Sequence, residues 1–221
     1  MKHISSAIFD MDGTLVDSLM LWDVLSEALA KAYPEKAGTV INEEDNKQIR
    51  VLPLDLAMNL LHEHYGIGAS GEEVTKLAAD VFMDFYSHRV LLKEGVGEFL
   101  AYLKTHNVRM CIASATPLPL VEAALEHCGI RDYFETVFSC GELGKGKDTP
   151  DIYYMAQEYL GTELEETWVF EDSYVAVNTA SGIGMPVVGI YDSHNPYQDR
   201  IEALSRYYIK NGETLMKLVN N

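Results

Sequence analysis

The spacing of apolar positions changes rhythm along this chain. Residues 6–11 form a short apolar run, which predicts a strand. The rhythm then turns helical: Trp22, Leu25, Leu29 and Ala32 recur at three- and four-residue intervals until Pro34 stops them. Further helices are predicted near 43–50, 54–65 and 71–89. Ser70 and Glu73 offer the last a capping box ahead of Val74, Leu77, Ala78, Val81, Phe82 and Phe85. Residues 17–89 thus carry helical patterns and no convincing strand. From about residue 90 the two rhythms alternate. Val96, Phe99, Leu100 and Leu103 make a helix, and 108–113 make a strand. Thr116 and Pro117 read as N-cap and N1 of a helix bearing Val121, Ala124, Leu125 and Cys128. A strand at 136–139, a helix at 150–160 closed by Gly161, a strand at 167–171, a helix at 174–181 and a strand at 186–190 follow. A last short strand is expected at 207–209.

Strands alternating with helices predict crossover units, hence an α/β fold: a Rossmann-like parallel sheet with helices on both faces. The first strand needs neighbours, and these begin only beyond residue 107. The helical block is therefore an insertion. The expected organisation is an α/β core of residues 1–16 and 90–221, interrupted by an all-helical cap at 17–89.

With 48% hydrophobic and 23% charged residues in 221, the chain has material for a substantial core. Its formal net charge of −17 argues against nucleic acid and anionic membrane surfaces as partners. A small anionic substrate stays compatible, because lysines and helix N-termini can build a local positive pocket. Three widely spaced cysteines, Cys111, Cys128 and Cys140, fit neither a disulfide framework nor a zinc site. Cys111, in an apolar run, is read as a buried thiol. His62 and His64 are read as surface residues. No apolar signal segment and no run of 18 apolar residues is present, so a cytoplasmic location is the default expectation.

The candidate chemistry lies at strand ends. Asp10 and Asp12 close the first apolar run before Gly13. If the strand persists that far, the two carboxylates share a face and repel, which a divalent cation or a shared proton would relieve. A plain turn explains Asp12-Gly13 but not Asp10 within an apolar run. In open α/β sheets ligands bind at the carboxyl ends of the strands. Ser114 ends the strand at 108–113, Lys145 and Lys147 follow the strand at 136–139, and Glu171 and Asp172 end the strand at 167–171. Singly, Ser114 or Glu171-Asp172-Ser173 could be helix caps and Lys147 a solvated loop residue.

Asp10-Met-Asp12-Gly13-Thr14, Ser114, Lys147 and Glu171-Asp172-Ser173 resemble, in order and spacing, the four motifs of the haloacid dehalogenase superfamily. The insert resembles that family's C1 helical cap, so the chain is similar to its phosphoglycolate phosphatase and beta-phosphoglucomutase-like phosphatases. The resemblance implies that Asp10 attacks phosphorus and forms an aspartyl-phosphate, and that Asp12 serves as general acid and then base. It implies Mg²⁺ held by Asp10, the backbone carbonyl of Asp12 and Asp172, with Glu171 beside them. Ser114, Lys147 and the Ala115 N–H would bind the phosphoryl oxygens.

There are departures. The third motif is often Lys-Pro-x-Pro-Asp, and here it reads Lys147-Asp148-Thr149-Pro150-Asp151. Lys145 is an alternative ligand, although the offset to Pro150-Asp151 favours Lys147. Ala176 stands where glycine is common after the fourth motif.

Four functions compete. Hydrolysis of a small phosphomonoester, a phosphorylated metabolite, is the first. A phosphosugar mutase is the second, although the resemblance associates Gly-Thr after the second aspartate, as at Thr14, with hydrolysis. A nucleotide-binding P-loop is the third: Gly141-Glu-Leu-Gly-Lys-Gly-Lys147 fits Gly-x-x-x-x-Gly-Lys, but Asp148 stands where Ser or Thr is needed. A non-enzymatic binding module is the fourth, and the filled catalytic positions speak against it. Substrate choice would fall to the cap, where Arg50 and Trp22 are the first candidates, with Lys47, Arg89 and Tyr86. Core packing or a solvated face accounts for each of these as well. A monomer or weak dimer is expected.

Overall fold

A computed structural model describes residues 4–49, 52–193 and 195–219. The chain divides into two compact units, Met1–Ser18 with Val90–Asn221, and Leu19–Arg89.

The first unit is built on a parallel sheet. Its strands are β1 (Ser6–Phe9), β4 (Arg109–Ser114), β5 (Thr136–Ser139), β6 (Thr167–Glu171), β7 (Val187–Ile190) and β8 (Tyr207–Ile209). A ribbon of β2 (Val16–Asp17) and β3 (Leu91–Leu92) stands beside it, antiparallel. The sheet runs β5-β4-β1-β6-β7-β8, with Phe9 opposite Ile112 on one side and Phe170 on the other. The chain moves from β1 to β4 and β5, then returns to β6 on the far side of β1. That reversal leaves a crevice at the carboxyl end of the central strand, which is where such sheets bind ligands.

Every residue of β1 is buried because helices cover both faces. Alternate side chains of β1 enter different cores. Ile8 packs with Cys111, Tyr153, Val169 and Val177, beneath α8 (Asp151–Leu160) and α9 (Tyr174–Gly182). Phe9 enters the other, stacked on Phe170 at 4.3 Å and edge-on to Phe99 of α5 (Val96–Thr105) and to Phe134. Each such aromatic pair adds about 0.5–1.5 kcal/mol beyond its buried area. This double burial fixes the register of the strand that leads into Asp10.

The second unit holds α1 (Leu21–Ala32), α2 (Glu43–Ile49), α3 (Leu54–Tyr65) and α4 (Gly71–His88), and no strand among its described residues. Leu21, Leu25 and Leu29 form the buried stripe of α1, whereas Ala32 is exposed. Only half of the capping box forms. Ser70 Oγ accepts from Glu73 N–H, but the Glu73 carboxylate accepts from Ala69 N–H and Tyr33 OH.

Several boundaries differ from those read off the sequence. β1 stops at Phe9, because Met11 O turns back to accept from the N–H groups of Thr14, Leu15 and Val16. Asp17, assigned to the helical block, pairs with Leu91. α6 (Leu118–His127) starts one residue late, with Pro117 as N-cap, and α8 likewise has Pro150 there. Thr116 Oγ1 donates to Asp12 and Thr149 Oγ1 to Gly146 O, so neither hydroxyl caps the helix that follows. Cys128 is half-buried at the end of α6. Two short helices carry no periodic signal in the sequence: α7 (Cys140–Leu143) and α10 (Gln198–Leu204). His62 is half-buried with Nδ1 3.0 Å from Ile67 O, and exposed His64 lies 2.9 Å from Asp45, so both have structural partners. Among the described residues no helix is long and apolar enough to cross a membrane.

Candidate active site

The tips of β1 and β6 are adjacent, so Asp10 and the pair Glu171-Asp172 emerge side by side. Asp10 N–H still bonds Phe170 O at 3.0 Å, which extends the ladder by one residue and aligns the tips. One carboxylate oxygen each from Asp10, Glu171 and Asp172 lies within 4.8 Å of the others. Asp10 and Glu171 are buried. Lys147 reaches in from the loop before α8, its Nζ 2.5 Å from Asp10 Oδ1 and 2.5 Å from Glu171 Oε1. Glu171 Oε2 also accepts from Ser173 N–H at 2.9 Å.

The electrostatics follow from this crowding. Burial, together with Glu171 and Asp12, pushes Asp10 up to about 7, against the pull of Lys147. Burial and the charges of Asp10, Glu171 and Asp192 push Asp172 well above its ordinary value, with Lys93 opposing. Burial also works against the Lys147 charge, but Asp10 and Glu171 outweigh it and hold the ammonium protonated. One ammonium among three carboxylates leaves negative charge uncompensated. The donor set is all oxygen and suits a hard divalent cation.

Asp12 sits two residues beyond Asp10, and Thr116 Oγ1 donates to its Oδ2 at 2.6 Å. Thr116 N–H in turn bonds Ser114 Oγ at 3.1 Å, and Thr116 O accepts from Ser139 Oγ at 2.9 Å. The ends of β4 and β5 therefore hold the partner of Asp12. Ser114 is buried and Ala115 exposed at this corner. Gly13 adopts φ +79°, and a Cβ there would lie 2.5 Å from Asp172 Oδ2 and 3.0 Å from Asp192 Oδ2. Only glycine permits that approach. Thr14 Oγ1 donates to Asp172 Oδ1 at 3.1 Å, and Asn195 Nδ2 to Asp172 O at 2.7 Å.

The structure thus brings Asp10, Glu171, Asp172 and Lys147 together, with Asp12 and Ser114 linked through Thr116. Lys145 instead pairs with Asp151. In the segment resembling a P-loop, Cys140–Leu143 is helical and α8 begins only at Asp151, so no helix start cradles Lys147. The cap candidates lie in the helical unit: Trp22 is edge-on to Phe82, Tyr86 is buried, Lys47 pairs with Glu43 and Arg89 with Asp84. Arg50 lies outside the described residues.

Four residues at the site escaped the sequence reading. Asp192, buried just past the end of β7, obeys the same strand-end rule and could have been found by it. Thr116, whose place before Pro117 suggests a helix cap, instead bonds Asp12. Lys93 and Asn195 lie in loops with no periodic signal.

Comparison with known proteins identifies the family. Residues 4–184 match the profile of the haloacid dehalogenase-like hydrolases. A phosphorylated carbohydrates phosphatase of Thermotoga maritima is 27% identical over 213 residues, 96% of this chain and 97% of its own. Hexitol phosphatase B of Escherichia coli K12 is 28% identical over 173 residues, covering 78% of this chain and 77% of the other. A Thermotoga maritima structure described as a candidate beta-phosphoglucomutase superposes with TM-score 0.81 at 26% identity, covering 98% of this chain and 99% of that one. The match spans the strand tips that carry the clustered carboxylates, and the chain belongs to the haloacid dehalogenase-like hydrolase family.

Proposed function

We propose that the protein is a Mg²⁺-dependent phosphatase that hydrolyses a small phosphomonoester through an aspartyl-phosphate on Asp10. One observation carries this reading: Asp10, Glu171, Asp172 and Lys147 crowd together at the central strand tips, with Asp12 held beside them by Thr116. The class, a phosphoric monoester hydrolase, is that of the family and of its phosphatase relatives.

Asp10, kept in place by Lys147, attacks phosphorus. The ester P–O bond breaks, and Asp12 gives its proton to the departing alkoxide. Asp12, now ionised, takes a proton from water as that water attacks the aspartyl-phosphate. The bond between Asp10 and phosphorus then breaks, and phosphate leaves. Lys147, Ser114 and the Ala115 N–H hold the phosphoryl oxygens. Thr116 keeps Asp12 in one orientation through both proton transfers. Asp10, the backbone carbonyl of Asp12 and Asp172 would hold Mg²⁺, with Glu171 beside them. Magnesium, when bound, neutralises these carboxylates and draws charge from the phosphoryl group.

The helical unit, Leu19–Arg89, is assigned the choice of substrate, with Arg50 and Trp22 as candidate contacts. The phosphorylated carbohydrates and hexitol phosphates implied by the relatives' names make a sugar or polyol phosphate the first class to test. The likeness to a candidate beta-phosphoglucomutase keeps a mutase as second reading. Gly13-Thr14, the pair that the resemblance associates with hydrolysis, supports water as acceptor.

The test is a screen of phosphorylated metabolites with Mg²⁺, scoring free phosphate and isomerised sugar separately. Phosphate release that is absent in Asp10→Asn is expected. Isomerised sugar without phosphate would replace hydrolysis by the mutase reading, and turnover retained in Asp10→Asn would remove Asp10 as nucleophile.

A further inference from the structure

We propose that Lys93 is a positioning residue that anchors the catalytic turn Met11–Val16. The inference rests on the phosphatase reading only for its catalytic consequence.

Lys93 is the first residue past β3 and grips the turn twice. Its backbone N–H bonds Leu15 O at 2.9 Å. Its Nζ donates to Gly13 O and reaches Tyr191 O at 3.5 Å. The turn is otherwise closed by its own backbone, with Met11 O accepting three N–H groups and Gly13 N–H bonding Val16 O. Those bonds shape the turn without fixing it against the sheet. Thr14 ties it to Asp172 just past β6, and Lys93 ties it to the tip of β7, because Tyr191 follows that strand directly.

The place it anchors has little tolerance. Gly13 lies so close to Asp172 that even a methyl group would collide with Oδ2, and Thr14 beside it bonds Asp172 Oδ1. A shift of the Gly13 peptide therefore moves Asp12 on one side and Asp172 on the other. Displacement of a reacting group by about 1 Å costs on the order of 100-fold in rate. Lys93 also lies near enough to Asp172 to favour its ionised form. It thereby serves the Asp172 side of the cluster, while Lys147 serves Asp10 and Glu171.

The test compares Lys93→Met, which keeps the stem and loses the donor, with Lys93→Arg, which keeps donor and charge. Two readouts are taken on the full chain: kcat and KM on the best phosphomonoester, and amide hydrogen exchange at Thr14, Leu15 and Val16. In Lys93→Met, exchange there quickens about tenfold or more. Its kcat falls about 10- to 100-fold while KM stays within about threefold, the pattern of a misplaced reacting group. Lys93→Arg restores both. Should Lys93→Met fail to fold, Lys93→Leu, which also lacks the donor, takes its place. Unchanged exchange overturns the proposal, as does faster exchange with unchanged kcat, or Lys93→Arg as impaired as Lys93→Met. If the wild type turns over no phosphomonoester, the phosphatase reading fails separately and the exchange result alone decides the anchor.

Discussion

At the tips of β1 and β6 the Lys147 ammonium lies between the buried carboxylates of Asp10 and Glu171, with half-buried Asp172 beside them, whereas in the helical unit Lys47 and Glu43 pair on a surface that leaves them 70% and 85% exposed. In the sheet unit, charge is buried at a cost that packing does not reward, the arrangement on which the proposed function rests. In the helical unit the paired charges sit where water screens them, which marks them as ordinary surface. Asp45 is the exception there. Its Oδ2 accepts from Asn42, His64 and Tyr65, at 3.0, 2.9 and 2.7 Å, and ties α2 to α3. Burial of an acid is thus not enough to mark a reaction site. Asp45 is surrounded by donors, whereas Asp10 and Asp172 face other acids.

Substitutions can break or sharpen this contrast. The largest effect is expected from Asp10→Asn, which should lower kcat by about 1,000-fold or more without loss of fold. Steady-state release of phosphate checks it. Lys147→Met comes next. It removes the ammonium from two buried carboxylates, so about 3–5 kcal/mol of stability should go without metal, along with most phosphate affinity. Urea unfolding and KM measure the two losses.

A third prediction concerns pH. The folded-state value of Asp10 lies near 7, above its ordinary 3.8, so the folded protein holds this proton more tightly than the unfolded chain. Stability from this group is present at low pH and is lost as pH rises from about 4 to about 7. In EDTA, wild type should therefore lose Tm relative to Asp10→Asn as pH rises from 5 to 7.5. Mg²⁺ should raise wild-type Tm more at pH 8 than at pH 6, since ligation needs the ionised form. A flat difference between the two proteins would show that Asp10 carries no such burden.

Asp45→Ala should lower Tm by a few degrees and leave kcat unchanged, because its three donors hold helices rather than a substrate. Lys47→Ala should change neither Tm nor kcat measurably. A rise in KM for Lys47→Ala would turn that exposed pair from ordinary surface into a substrate contact.

The same contrast explains what could be read from residues alone. α3 begins and ends where its apolar spacing places it, since Leu54–Tyr65 is bounded by Pro53 and by Gly66 in a left-handed turn. α7 and α10 are too short to show a period. The clustered acids were legible because apolar strands end abruptly in them. Thr116 was misread because the same Thr-Pro pair that can start a helix instead sends its hydroxyl to Asp12, a tertiary contact with no local trace. Lys93 and Asn195 act across long sequence separations, and nothing near them in the chain signals their targets.

The central place of β1 also constrains how this protein is made. The strand lies in the first ten residues, yet one of its two neighbours ends only at Glu171. At about 5–20 residues per second, a ribosome takes about 10–30 s to cover that interval. During that time an apolar edge awaits its partner, and pairing of such distant segments is slow. A nascent chain halted before Thr167 should therefore remain open to chaperones and proteases. Resistance should arrive late and in one step, when β6 joins and the clustered acids form together.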